Sequence, residues 1–282
     1  MSDKKRALTR VTLGIAVMFG CYWLYACIVK KYFRMEGSIS TLIGLVCLYG
    51  IGLGLMVWMV KGVPGQKIEK KKISLPMVLL GFLLQFTAIM VMSVIVMILT
   101  VLGLNEATVE IEATSPYMLF MLLIFNPILE EFVFRKLFAD KLLRHGEWFY
   151  VFTSAFCFAI VHGVSLGVPQ IVYTFILGLV WAYLYVKTGK LWLVIIMHAL
   201  SNFFGSVVLQ SLMGIAMILG GLYSMCLMML GAIGASLLAV FHKKVVLDGK
   251  NRLFRWEEVG MVFQNPATWL YIGLTLVMML IK

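Results

Sequence analysis

Two adjacent carboxylates and a guanidinium lie inside a run that otherwise reads as membrane-buried helix: Asn126-Pro127-Ile128-Leu129-Glu130-Glu131-Phe132-Val133-Phe134-Arg135. A charge at the centre of a bilayer costs about 2.5–3.5 kcal/mol on insertion scales, so ionisable groups there are expected to serve a function. On a helix, neighbours point about 100° apart and residues four apart share a face. Glu131 is therefore expected to pair with Arg135 one turn on. Glu130 points elsewhere, with Asn126 and Phe134 on its side and no local counter-ion. The two carboxylates should do different work: Glu131 fixes the helix through Arg135, and Glu130 turns toward a neighbouring helix.

Two further apolar runs carry histidine: Phe158-Ala-Ile-Val-His162 and His198-Ala-Leu-Ser-Asn202. His198 and Asn202 share a face by the same spacing. Glu130 with His162 could hold a water and take its proton, which is general-base catalysis. His198 and Asn202 could donate to the oxyanion that forms when that water attacks a carbonyl. Together these steps are amide hydrolysis. The competing chemistry is zinc on Glu130, His162 and His198, one carboxylate and two imidazoles. The His-Glu-x-x-His pair that usually announces such a site is missing. No cofactor is expected, with zinc as the alternative. Interhelical hydrogen-bond glue accounts for any one of the Asn, His and Ser residues taken singly. It does not account for Glu130. His145 and His242 fall in polar loops and read as surface residues.

The elements that must carry these groups follow from composition. The 282-residue chain is 62% hydrophobic and 13% charged, with mean hydropathy +0.99, against about 45–50% and about 25% in an ordinary soluble domain. The fold class is all-α, a polytopic transmembrane helical bundle of about eight or nine spans whose core helices carry the site. Runs of about 20 apolar residues fall at 11–29, 39–60, 75–101, 116–138, 148–162, 168–186, 191–209, 219–241 and 261–281. The glycines between Gly205 and Gly221 leave open a longer, broken seventh helix in place of a separate eighth. Three regions follow: 1–115, N-terminal helices and a basic linker; 116–205, the catalytic core; 206–282, C-terminal helices.

Placing the N-terminus in the cytoplasm puts 20 of the 24 lysines and arginines on the inner side, as the positive-inside rule requires. Lys250 and Arg252 are among these, and Lys282 is on the outer side. The third-to-fourth loop, with Glu106, Glu110 and Glu112, is then external. The net charge of +11 is thus topogenic and suits anionic lipid heads, not nucleic acid. The stretches 61–74 and 243–258 read as solvated cytoplasmic connections. Five cysteines without metal-type spacing read as apolar packing residues. Nothing in the sequence fixes an oligomeric state.

The three polar runs, taken in order, resemble the CAAX-protease and bacteriocin-processing family of intramembrane proteases, also called Abi. That family carries Glu-Glu-x-x-x-Arg, Phe-x-x-x-His and His-x-x-x-Asn/Asp on successive core helices. Here these stand as Glu130-Glu131…Arg135, Phe158…His162 and His198…Asn202, and Thr188-Gly-Lys-Leu-Trp192 also looks like the family. The resemblance covers 116–204. It departs at Lys136, where the family often has glycine. It implies a membrane-embedded endopeptidase in which Glu130 activates water, His162, Glu131 and Arg135 support it, and His198 with Asn202 binds the oxyanion. Relatives are described both as metalloproteases and as glutamate proteases. They act on prenylated proteins or on bacteriocin and signalling peptides, or confer immunity. The expected partners are a membrane-associated peptide and the bilayer. The expected location is a bacterial cell membrane. The alternative function is a non-proteolytic immunity or transport protein.

Overall fold

The structure, a computed structural model, describes residues 2–34, 36–104, 114–249 and 255–281. Glu106, Glu110, Glu112, Lys250, Arg252 and Lys282 lie outside them. The fold is all-α. Among the described residues, eight helices are long and apolar enough to cross a membrane: α1 Asp3–Tyr32, α2 Gly37–Val60, α3 Leu75–Val101, α4 Pro116–His145, α5 Glu147–Val164, α6 Val168–Thr188, α7 Leu191–Ile215 and α8 Met217–Lys244. Two shorter helices follow, α9 Trp256–Phe263 and α10 Pro266–Ile281.

The departures from expectation have local causes. α1 starts at Asp3 because the Ser2 hydroxyl caps it, accepting from the Lys5 N–H; the basic N-terminus is helical. The apolar run at 261–281 is two pieces. Asn265 Oδ1 accepts from the Ala267 N–H at 2.9 Å, and Pro266 takes the first helical position, where its missing N–H costs nothing. α7 and α8 are separate helices. The break falls at Ala216, in extended backbone (φ −160°, ψ 133°), and not at a glycine. Gly205 stays helical and packs beside Ile89 and Tyr173.

By contacts the chain forms two compact units: Met1–Gln66 with Lys141–His145 and Arg255–Lys282, and Lys67–Asp140 with Gly146–Phe254. In the first, α1 packs on α2 and α10. A Cβ at Gly52 would stand 2.5 Å from the Met18 carbonyl oxygen, so the two backbones touch there. None of the five cysteines is in a disulfide; Cys27 Sγ donates to Met278 Sδ at 3.5 Å.

The second unit holds every group expected to do chemistry. α3 packs on α6 and α8, and α5 packs along α6. Glycines set the spacing. A Cβ at Gly231 would lie 2.6 Å from the Phe86 carbonyl oxygen, and one at Gly178 would lie 2.8 Å from Ala155 Cα. Close backbone approach at small residues is how helices associate in lipid, where apolar burial alone gives no drive. Gly178→Val is expected to part α5 from α6 and cost about 1–3 kcal/mol, as overpacking does. Thermal unfolding in detergent checks this; an unchanged midpoint would show that the contact is dispensable.

Two connections read as merely solvated have structural work. In the first, the Lys71 N–H donates to the Thr188 carbonyl at 2.9 Å, and Gly189 (φ +64°) leaves room for the Glu69 carbonyl, which a Cβ would meet at 2.3 Å. The linker thus closes the C-terminus of α6. In the second, Asp248 caps α5. Its carboxylate accepts from the Glu147 N–H at 2.6 Å and the Trp148 N–H at 3.3 Å. Glu147 Oε2 in turn accepts from the Asp248 N–H at 2.8 Å and from Lys187 Nζ at 2.7 Å. The cap is supplied from a distance because the residue before α5 is Gly146, which has no side chain to offer.

Candidate active site

Glu130 and Glu131 end a regular stretch of α4, Asn126–Glu131, and the backbone then widens into π-helical turns over Phe132–Leu137, which carry Arg135. Similar wide turns follow Asn202 in α7, over Phe203–Val208. Such turns are frequent at functional sites. They also occur in α1 and α2, so they do not mark the site alone.

Glu131 and Arg135 pair as their spacing predicts. Glu131 Oε2 lies 2.9 Å from Arg135 Nε, and both side chains are wholly buried. Arg135 Nη1 also donates to Ser154 Oγ at 3.4 Å, and that hydroxyl donates to the Phe134 carbonyl at 2.6 Å. The guanidinium lies over the Phe158 ring at 4.7 Å and the Trp181 ring at 5.6 Å. Aromatic faces and a carboxylate thus take over the solvation that water would give. Lys136, where the family often has glycine, stands 5.3 Å over the Phe132 ring.

Glu131 has a second partner that the spacing did not disclose. Its Oε1 lies 3.0 Å from His198 Nδ1. The division of labour between the carboxylates is therefore less complete than expected: Glu131 ties the arginine to an imidazole. With Arg135 against its Oε2, the carboxylate accepts through Oε1, so Nδ1 of His198 donates there and Nε2 faces Glu130 Oε2, at 3.9 Å. His162 is fixed in the same sense. Its Nδ1 donates to the Phe158 carbonyl at 2.6 Å, which leaves Nε2 facing Glu130 Oε2 at 3.7 Å. Glu130 Oε2 has no hydrogen-bond partner among the described residues. Three acceptor-type atoms from α4, α5 and α7 therefore converge on one small space.

Both separations are longer than a direct hydrogen bond, about 2.7–3.2 Å, and short enough for one water to reach both sides. They are also wider than the roughly 3.3 Å between ligand atoms of tetrahedral zinc. Among the described residues no group of three His, Cys, Asp or Glu is arranged to hold a metal ion. The Glu130, His162 and His198 atoms thus have the donor types of a zinc site, at separations wider than a bound ion would hold them. Asn202 does not join the cluster through a direct bond. One of its amide hydrogens goes to the Leu122 carbonyl at 2.8 Å, which leaves the other to donate.

Trp181 on α6 was not expected. Its ring is stacked on His198, with centroids 4.3 Å apart and planes 23° apart. Phe158 lies 4.4 Å from His162 and meets His198 edge-on at 6.0 Å. One aromatic wall thus holds both imidazoles and the arginine. The sequence signal for Trp181 was faint: a tryptophan three residues after a glycine, in a helix without a motif.

Fold and site together define an integral membrane protein with a Glu–His–Arg cluster buried among membrane-length helices. Residues 112–204 match the family described as Type II CAAX prenyl endopeptidase Rce1-like, so the resemblance carried by the three motifs is shown for that segment. Two curated bacterial proteins are similar to the chain. One is YdiL of Bacillus subtilis (strain 168), a candidate membrane peptidase, 29% identical over 101 residues, which are 36% of this chain and 40% of YdiL. The other is the membrane-embedded CAAX protease MroQ of Staphylococcus aureus (strain USA300), 33% identical over 147 residues, 48% of this chain and 58% of MroQ. The matches thus span about half the length of these relatives. No solved structure matches the chain significantly.

Proposed function

We propose that this chain is an intramembrane endopeptidase that hydrolyses a peptide bond of a membrane-associated peptide or protein, using water activated by Glu130 and His162. The observation that carries this reading is the convergence of Glu130 Oε2 with the Nε2 atoms of His162 and His198, at 3.7 and 3.9 Å. Water held between Glu130 and His162 gives its proton to the carboxylate as its oxygen attacks the scissile carbonyl carbon. The negative charge moves to the carbonyl oxygen. His198 lies between both carboxylates, so a proton added to the cluster at its Nε2 meets acceptors on two sides. In that state it donates to the oxyanion, and the free Asn202 N–H adds a second donor. Glu130 then passes its proton to the leaving amine as the C–N bond breaks.

The family description and the name of MroQ support a membrane-associated substrate: a lipidated protein, a leader or a signalling peptide. The cell location supported by the bacterial relatives is a plasma membrane. The distribution of lysine and arginine supports a cytoplasmic N-terminus.

Purified protein in proteoliposomes is expected to cleave a lipidated or leader peptide, and to keep that activity after chelator treatment. Loss of cleavage with EDTA and its return with zinc would overturn the metal-free reading. Solute flux without any cleavage would replace the protease with the transport alternative.

A further inference from the structure

Two buried groups of opposite hydrogen-bonding sense lie between α3, α6 and α7, and neither has a partner among the described residues. They are the side-chain oxygen of Gln85 and the indole N–H of Trp181, in residues 1% and 0% exposed. Neither belongs to a motif.

Three contacts put them at one level. A Cβ at Gly81 of α3 would lie 3.0 Å from Leu184 of α6. A Cβ at Gly205 of α7 would touch both Ile89 of α3, at 3.4 Å, and Tyr173 of α6, at 3.6 Å. So α3 ascends from 81 to 89 as α6 descends from 184 to 173. The helices are antiparallel, and Gln85 falls opposite the turn that ends at Trp181. The third contact is Gln85 Nε2 to Met197 Sδ, at 3.8 Å. Met197 precedes His198, on which Trp181 is stacked. Amide and indole thus approach one place from two helices.

In a bilayer interior a lone amide oxygen and a lone N–H are each costly, and pairing them removes both penalties. We propose that one buried water joins the two, accepting from Trp181 Nε1 and donating to Gln85 Oε1, and that Gln85 is thereby a positioning residue for His198. An indole held at its nitrogen cannot slide across the imidazole. His198 then keeps Nδ1 on Glu131 and Nε2 toward Glu130. The kinetic consequence rests on the hydrolytic reading above; the hydrogen bond does not.

The test uses the full chain in nanodiscs with ¹⁵N-labelled indoles. Trp181→Phe, which keeps an aromatic ring, assigns the Trp181 resonance by its disappearance. Gln85→Leu, which a membrane helix tolerates, is expected to shift that resonance upfield and speed its exchange with water. A resonance that Gln85→Leu leaves unmoved overturns the bond. On a cleavable peptide, each single variant is expected to lower kcat about threefold to tenfold, the size of one net hydrogen bond, with KM unchanged. The double variant is expected to be no worse than the poorer single. Losses that multiply, or that appear in KM and not kcat, overturn the positioning role. If the wild type cleaves nothing, the hydrolytic reading fails while the indole resonance still decides the bond.

Discussion

Glu130→Gln is expected to reduce peptide-bond cleavage by about 10²- to 10⁴-fold, the usual range for a lost general base, while the protein unfolds within a few degrees of wild type. The two halves of this expectation come from different observations. An amide has nearly the shape of a carboxylate but cannot take a proton from water, so the chemistry stops. The fold tolerates the change because Glu130 Oε2 bonds to no described residue, and its side chain is 18% exposed, whereas that of Glu131 is fully enclosed. The contacts given up, to the Nε2 atoms of His162 and His198, are 3.7 and 3.9 Å long. The same substitution separates catalysis from interhelical glue, since an amide bridges helices as well as a carboxylate does. Full activity in Glu130→Gln, read from progress curves in proteoliposomes, would remove Glu130 from the chemistry.

Arg135→Met should act in the opposite way, on the fold before the chemistry. Arg135 and Glu131 are both wholly buried and 2.9 Å apart. Removing the guanidinium leaves the carboxylate enclosed and unpaired, which typically costs about 3–5 kcal/mol. Arg135→Lys should recover only part of this, because an ammonium cannot reach both Glu131 and Ser154 as a planar fork does. The double variant Arg135→Met with Glu131→Gln removes both charges and should regain most of the stability. It should not regain activity, because His198 then loses the carboxylate that fixes its Nδ1 hydrogen. Denaturant unfolding and cleavage, measured on the same four proteins, check this. Equal losses of stability in the single and double variants would show that the ion pair does not hold this part of the bundle.

The Glu131–Arg135 pair was legible because it depends only on spacing along one helix. The meeting of Glu130 with His162 and His198 was legible from chemistry: each lone polar group needed a partner, and the apolar runs offered few others. Trp181 and Gln85 were not legible. A single tryptophan or glutamine in an apolar helix looks the same whether it packs, faces lipid or positions a neighbour, and only the antiparallel register of α3 and α6 tells them apart. Helix ends were read short for a similar reason. Hydropathy measures how far the chain stays apolar, whereas α4 continues through Asp140, Lys141 and Arg144. The glycines near Gly205 were ambiguous because a small residue in a membrane helix serves close packing as readily as a break.

The cap that Asp248 places on α5 bears on what counts as a unit of inheritance. His162 stands on a helix whose first N–H groups are satisfied from a loop 101 residues further along the chain. Trp181 is stacked on His198 from a helix that closes against the backbone of 69–71. Both supports fall beyond residues 112–204, the segment that matches the family model. The segment that carries the family match is thus smaller than what must fold for the chemistry to be held in place. A graft cut to those borders would carry the reacting groups without their scaffolding. The flanking segments matter to the site through what they deliver, one carboxylate to a helix start and one backbone to a helix end.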